Sequence, residues 1–110
     1  MIHILDEIPL VAGRIAQVLE ALDRLYLPAC AGRGLTLEQR WVSPPVVVPG
    51  QPNTLWLLWR VADVPAYYAM RSAAGAEVRA FWDLVEEGGS CRRRHVLGSA
   101  GQPLEAPDVA

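Results

Sequence analysis

From Thr54 to Val61 the chain is apolar on both sides of any strand it could form: Leu55, Leu57, Trp59 and Val61 alternate with Trp56 and Leu58. Successive side chains of a strand point to opposite faces, so this segment needs cover above and below. A chain of 110 residues can cover one face of a sheet with its own helices. The simplest cover for the other is an identical copy of the chain. The pattern therefore predicts a central strand and an assembly that hides the second face of its sheet.

The length fits one domain, and a hydrophobic fraction of 52% is ample for its core. No apolar run approaches the roughly 20 residues of a membrane-spanning helix. Met1 to Pro9 carries Asp6 and Glu7 where a secretory leader would carry positive charge, so a cytoplasmic location is expected. A formal net charge of -2, from twelve acidic and ten basic side chains, gives no field that would favour nucleic acid or an anionic membrane. All ten basic residues are Arg, read as a compositional bias of the genome with most of the charges solvated. Cys30 and Cys91 form no CxxC and no metal-ligand spacing, so reduced thiols and no metal are expected.

Along the chain, Ile2 to Ile8 is a β-rich run closed by Pro9. From Ala12 the period becomes helical, with Ile15, Val18, Leu19, Leu22, Leu25, Tyr26 and Ala29 on one stripe. Pro28 predicts a kink, and Gly32 with Gly34 a stop. Leu35 to Val42 alternates as a second strand, with Leu35, Leu37, Gln39 and Trp41 on one side and Thr36, Glu38, Arg40 and Val42 on the other. Ser43 to Asn53, with four prolines, is a stiff connection whose Val46, Val47 and Val48 either cover apolar surface or form an extra edge strand. After the central strand, Asp63 caps a helix with Pro65 in its first turn. Tyr67, Met70, Ala74, Val78, Phe81 and Val85 form its core stripe, which bends or breaks at Gly75 and ends at Gly88 and Gly89. Tyr68 and Trp82 widen that stripe, either as core or as contacts to a partner or ligand. Cys91 to Leu97 is the last strand, and 99–110 a flexible tail after a domain of residues 1–98.

The order strand, helix, strand, strand, helix, strand predicts an α+β, ferredoxin-like βαββαβ fold: a four-stranded antiparallel sheet with both helices on one face. From Ile2 to Gly98 the chain resembles the dimeric α/β-barrel superfamily, which includes antibiotic-biosynthesis-monooxygenase-like and NIPSNAP-like domains. The resemblance rests on Leu57-Leu58-Trp59-Arg60-Val61-Ala62-Asp63 followed by Tyr67-Tyr68-Ala69-Met70-Arg71, similar to the superfamily's third strand and the helix after it. It implies a homodimer in which two sheets pair, bare face to bare face, into a barrel around a small cavity. The superfamily spans cofactor-independent oxygenation, haem degradation, lactone isomerisation and haem-based chlorite chemistry, so the resemblance implies a fold more than a reaction. Haem degradation in such proteins uses an Asn, a Trp and a His together, whereas the single Asn here, Asn53, lies in the proline-rich connection. Neither His3 nor His95 argues for haem, and no cofactor is expected.

If the odd-numbered residues of the central strand face the helices, the cavity side carries Trp56, Leu58 and Arg60, with Thr36, Glu38, Arg40 and Val42 from the second strand and His3 and Leu5 from the first. The resemblance adds Arg71 as a polar side chain reaching the cavity. Tyr68, Trp82 and Arg94 complete the candidate ligand contacts. The expectation is an aromatic-walled pocket with guanidinium donors, suited to a small apolar or aromatic molecule bearing an oxygen function. As an enzyme it would be a cofactor-independent monooxygenase or isomerase: Arg60, Arg71 or Arg94 would stabilise enolate or phenolate charge and His3 would move the proton. The alternatives are a noncatalytic binding or assembly domain, and a structural role for the arginines at the dimer seam. In the run Arg92-Arg93-Arg94-His95, one register sets Asp6 opposite Arg93 and Glu7 opposite Arg92.

Overall fold

The computed structural model describes residues 1–87, 91–101 and 103–104. Four strands, β1 (Ile2–Leu10), β2 (Thr36–Ser43), β3 (Asn53–Val61) and β4 (Arg93–Leu97), form one antiparallel sheet in the order β2-β3-β1-β4. The first helical stretch passes through a 3-10 turn (Ala12–Arg14), α1 (Ile15–Ala21), a π turn (Leu22–Tyr26), α2 (Leu27–Cys30) and a second 3-10 turn (Ala31–Arg33). The second is α3 (Val64–Ser72) followed by α4 (Ala76–Glu87). This is the ferredoxin-like α+β arrangement expected from the order of the periodicities. The sheet is open, with β2 and β4 as its edges.

The core lies between the sheet and the helices. Ile4, Ile8, Leu55, Leu57 and Trp59 are fully buried against Val18, Leu22, Tyr26, Met70, Phe81 and Val85. Tyr26 is the hub, with ring centroids 5.0 Å from Trp59, 5.2 Å from Phe81 and 5.7 Å from Trp82 in tilted or edge-on geometry. Two arginines serve the carbonyl ends of the helices: Arg33 Nε donates to Met70 O at 3.1 Å near the end of α3, and Arg14 donates to Leu84 O and Val85 O near the end of α4. A cation there satisfies orphan carbonyls and complements the helix dipole.

Several local expectations are refined. β1 continues through Pro9, which lies opposite Thr54 of β3 but beyond the last residue paired with β4, so on the β4 side its missing amide costs the ladder nothing. Pro28 does not end the first helical stretch. The turn before it widens, with Leu27 N–H bonding to Leu22 O, which relieves the clash of the proline ring with the Arg24 carbonyl. The stop falls where the two glycines put it, with Gly34, at φ of 69°, supplying the left-handed residue. Asp63 caps α3 as expected, its Oδ1 accepting from Ala66 N at 2.8 Å. The break expected at Gly75 separates α3 from α4, whereas the stop expected at 88–89 and most of the tail fall outside the described residues.

Residues 44–52 form no strand, and Val46 and Val47 are exposed. Asn53 belongs to β3, where it is almost fully buried and its Nδ2 donates to Pro44 O at 2.8 Å and Val46 O at 3.0 Å. It pins the proline-rich connection to the sheet. Asn53→Ala is expected to lower stability by about 1–3 kcal/mol, since two carbonyls lose their buried donor; the urea midpoint at constant m-value measures it.

Candidate functional site

Alternation in the two central strands places His3, Leu5 and Glu7 of β1 and Trp56, Leu58 and Arg60 of β3 on the face that no helix among the described residues covers. They form direct cross-strand pairs: His3 with Arg60, Leu5 with Leu58, Glu7 with Trp56. β4 adds Arg93, His95 and Leu97, and β2 adds Thr36, Gln39 and Trp41. Trp41, with nearly half its surface exposed, lies opposite Trp56, so two indoles stand side by side on the bare face.

The expectation for β2 needs correction. A bulge between Leu37 and Gln39 adds a residue to one strand of the pair and reverses the alternation beyond it. Arg40 therefore pairs with Leu57 on the helix side and donates to Asp23 Oδ1 at 3.0 Å, away from any bare-face pocket. Val42 joins the core, and Gln39 and Trp41, expected on the helix side, face outward.

The register of β4 is also one residue from the expected one. Asp6 lies opposite Arg94, and Glu7 opposite Arg93. A slip by one exchanges the faces, so Arg94 sits on the helix side and not among the bare-face ligands. The reason is chemical: Asp6 is fully buried, and a buried carboxylate persists only when its oxygens are filled. Arg94 Nε donates to Oδ1 at 2.7 Å and Arg94 Nη2 to Oδ2 at 2.9 Å, while Trp59 Nε1 donates to Oδ2 at 3.0 Å. Burial opposes the charge of Arg94, but the hydrogen bonds and charge of Asp6 outweigh it and hold the guanidinium pKa above its ordinary value. Glu7 finds His95, at 3.3 Å, in place of an arginine.

The nine candidate residues consequently fall into separate places. His3, Trp56, Leu58 and Arg60 share the bare face. His3 and Leu58, with Met1, Leu97, Gly98 and Ser99, line a shallow hollow of ≈ 450 Å³ at its edge. His3 Nε2 stands 3.1 Å from Glu38 Oε1, both side chains being partly exposed. This is a His–carboxylate pair beside an apolar wall, with Arg60 on the neighbouring strand. Arg71, Arg94 and Trp82 lie on the helix side of the sheet near β4, where Trp82 is core, its ring 3.7 Å from the Arg92 guanidinium and 5.5 Å from that of Arg94. Tyr68 is half-exposed on α3, packed edge-on against Tyr67 at 5.4 Å. The Glu38 partner of His3 was legible as a shared face; the Trp59–Asp6–Arg94 network was not, because it depends on a register that no local pattern sets.

No family model matches the chain, and no curated protein matches it. Solved structures do. A NIPSNAP domain protein of Burkholderia xenovorans superposes with a TM-score of 0.67 at 16% identity, over 96% of this chain and 100% of that one. A NIPSNAP family protein of Agrobacterium tumefaciens strain C58 gives 0.64 at 14%, over 96% and 100%. An antibiotic-biosynthesis-monooxygenase-like protein of Deinococcus radiodurans gives 0.61 at 14%, over 100% and 99%. Identities this low speak to the fold alone. Topology, helix placement and near-complete mutual coverage agree: the chain has a ferredoxin-like α+β fold, arranged as in these NIPSNAP and antibiotic-biosynthesis-monooxygenase structures.

Proposed function

We propose that the chain is a homodimer closed through the bare face of its sheet, and that this closure encloses a small, mainly apolar or aromatic molecule carrying an oxygen function. The observation that carries the reading is the uncovered run of Leu5, Trp56, Leu58 and Trp41 across three adjacent strands. Four strands of up to nine residues present a face of about 30 by 19 Å, the order of size a stable interface needs per partner, about 800 Å² of accessible surface. A second copy supplies a matching face by symmetry. The polar groups set within that face, His3 with Glu38 and His95 with Glu7, would be drawn from water on closure with their partners already in place.

Within such an enclosure the hollow at His3 and Leu58 is the ligand site. His3, steered by Glu38, accepts a proton from a phenol or an enolisable carbon, and Arg60 beside it stabilises the resulting oxyanion. Arg71 and Arg94, on the other side of the sheet, take no part. Returning the proton to a different carbon is isomerisation. In the oxygenase version the deprotonated phenol reduces O₂, so that phenol and O₂ give quinone and water, with no cofactor. Neither version calls for nucleic acid or a membrane. No helix among the described residues is long and apolar enough to cross a bilayer, and two unpaired cysteines accord with a reducing cytoplasm.

The test is titration with aromatic ketones and hydroquinones while following bound ligand and oxygen uptake. Catalysis predicts turnover that falls about 10²–10⁴-fold in His3→Ala with the dimer mass unchanged. Saturable binding without turnover assigns the chain to noncatalytic ligand binding. Absence of both rejects the site.

A further inference from the structure

A second concavity opens on the opposite side of the sheet, between the β4 edge and α3. Tyr67, Arg71, Arg92, Arg94 and Val96 line it, around a volume of ≈ 350 Å³. Three guanidiniums on the walls of one small groove are an unusual concentration of like charge in a chain whose net charge is negative.

Their neutralisation is incomplete. Both oxygens of the buried Asp6 are committed to Arg94 and Trp59. Arg92 has Glu86, at 3.6 Å, and otherwise stacks on Trp82. Arg71 has no carboxylate within ion-pair distance among the described residues; its guanidinium lies 5.9 Å from the centroid of Tyr67. Arg92 and Arg94 are also held away from water, with side chains 31% and 19% exposed. Burial, and after it the charge of Arg94, lowers the Arg92 pKa below its ordinary value. An oxyanion in the groove would relieve that repulsion. The Trp82 indole holds the Arg92 fork in fixed orientation, so on that side of the groove a ligand has little ordering to impose. The remaining walls, Val96 and the Tyr67 ring, are apolar and suited to a hydrocarbon body attached to the anion.

We propose that the groove between β4 and α3 binds a small organic carboxylate, its charged end on Arg71 and Arg92 and its apolar end against Tyr67 and Val96. The site is independent of the bare face and of dimer closure. Planar guanidinium forks match a carboxylate in bidentate geometry, and each charge-assisted contact strengthens where water is partly excluded.

The experiment is an amide chemical-shift titration of the full chain with sodium benzoate, sodium acetate and inorganic phosphate in parallel. Expected are saturable shifts at Tyr67, Arg71 and Val96, with benzoate binding more tightly than acetate. Arg71→Gln should weaken benzoate about tenfold or more, the scale of one charge-assisted contact. Arg92→Gln should do likewise, whereas Arg24→Gln, the same loss of charge on the exposed first helical stretch, should leave binding unchanged. Arg71 supports no buried contact, so its variant should keep the wild-type spectrum outside the groove. The proposal is overturned if no benzoate saturation is reached by about 0.1 M, where the screening length is about 10 Å. It is equally overturned if Arg71→Gln binds as wild type does, or if phosphate saturates the groove and benzoate does not.

Discussion

Arg94→Met is expected to lower folding stability by about 3–5 kcal/mol, the loss seen when one partner of a buried ion pair is removed. The variant leaves the fully buried Asp6 carboxylate with only the Trp59 indole N–H. Asp6→Leu should cost a similar amount, because a mostly buried guanidinium and the Trp59 donor both lose their acceptor. The informative comparison is the double variant. Replacing both charges by apolar groups removes the desolvation cost along with the pair, so Asp6→Leu/Arg94→Met should recover most of the loss and sit within about 1–3 kcal/mol of wild type, the residue being the unpaired indole. Urea denaturation of the four proteins closes the cycle. Additive losses would mean that Asp6 and Arg94 do not act as a unit.

Leu58→Asp tests the opposite face. Leu58 lies directly across from Leu5 in the middle of the uncovered strands, and it is only partly buried within one chain. The substitution should therefore cost the single chain little. In a dimer closed through that face, two carboxylates enter a desolvated seam, which weakens association by more than about 3 kcal/mol, over 100-fold in Kd. Sedimentation velocity should show a folded monomer with an unchanged far-ultraviolet spectrum. A variant that stays as associated as wild type would place the interface elsewhere.

The contrast between what the sequence shows and what it conceals follows from the range of the interactions. Period-two alternation in Thr54 to Val61 and the three-to-four spacing from Ile15 to Ala29 are local records of burial, and both elements appear where those records put them. The Asp63 cap and the break at Gly75 were equally local. The errors gather where one residue of offset decides the face. A bulge at Glu38 turned Arg40 away from the bare side, and a register step in β4 carried Arg94 into the network with Asp6. Nothing within Leu35 to Val42 announces the bulge, since either phase of alternation leaves apolar residues on both sides. The β4 register is set by the need of a buried carboxylate for donors, which is visible only once Asp6 is known to face the helices. The candidate site was thus half legible: His3, Trp56, Leu58 and Arg60 share a face because their strands alternate without interruption, and Arg40, Arg71, Trp82 and Arg94 do not join them.

Sedimentation equilibrium of the wild-type chain across the micromolar range decides whether the bare face is closed by a second copy. Expected is a single species of twice the 12.0 kDa chain mass, with the indoles of Trp41 and Trp56 shielded from aqueous quenchers. A mass of one chain throughout that range, with both indoles open to quencher, would contradict it.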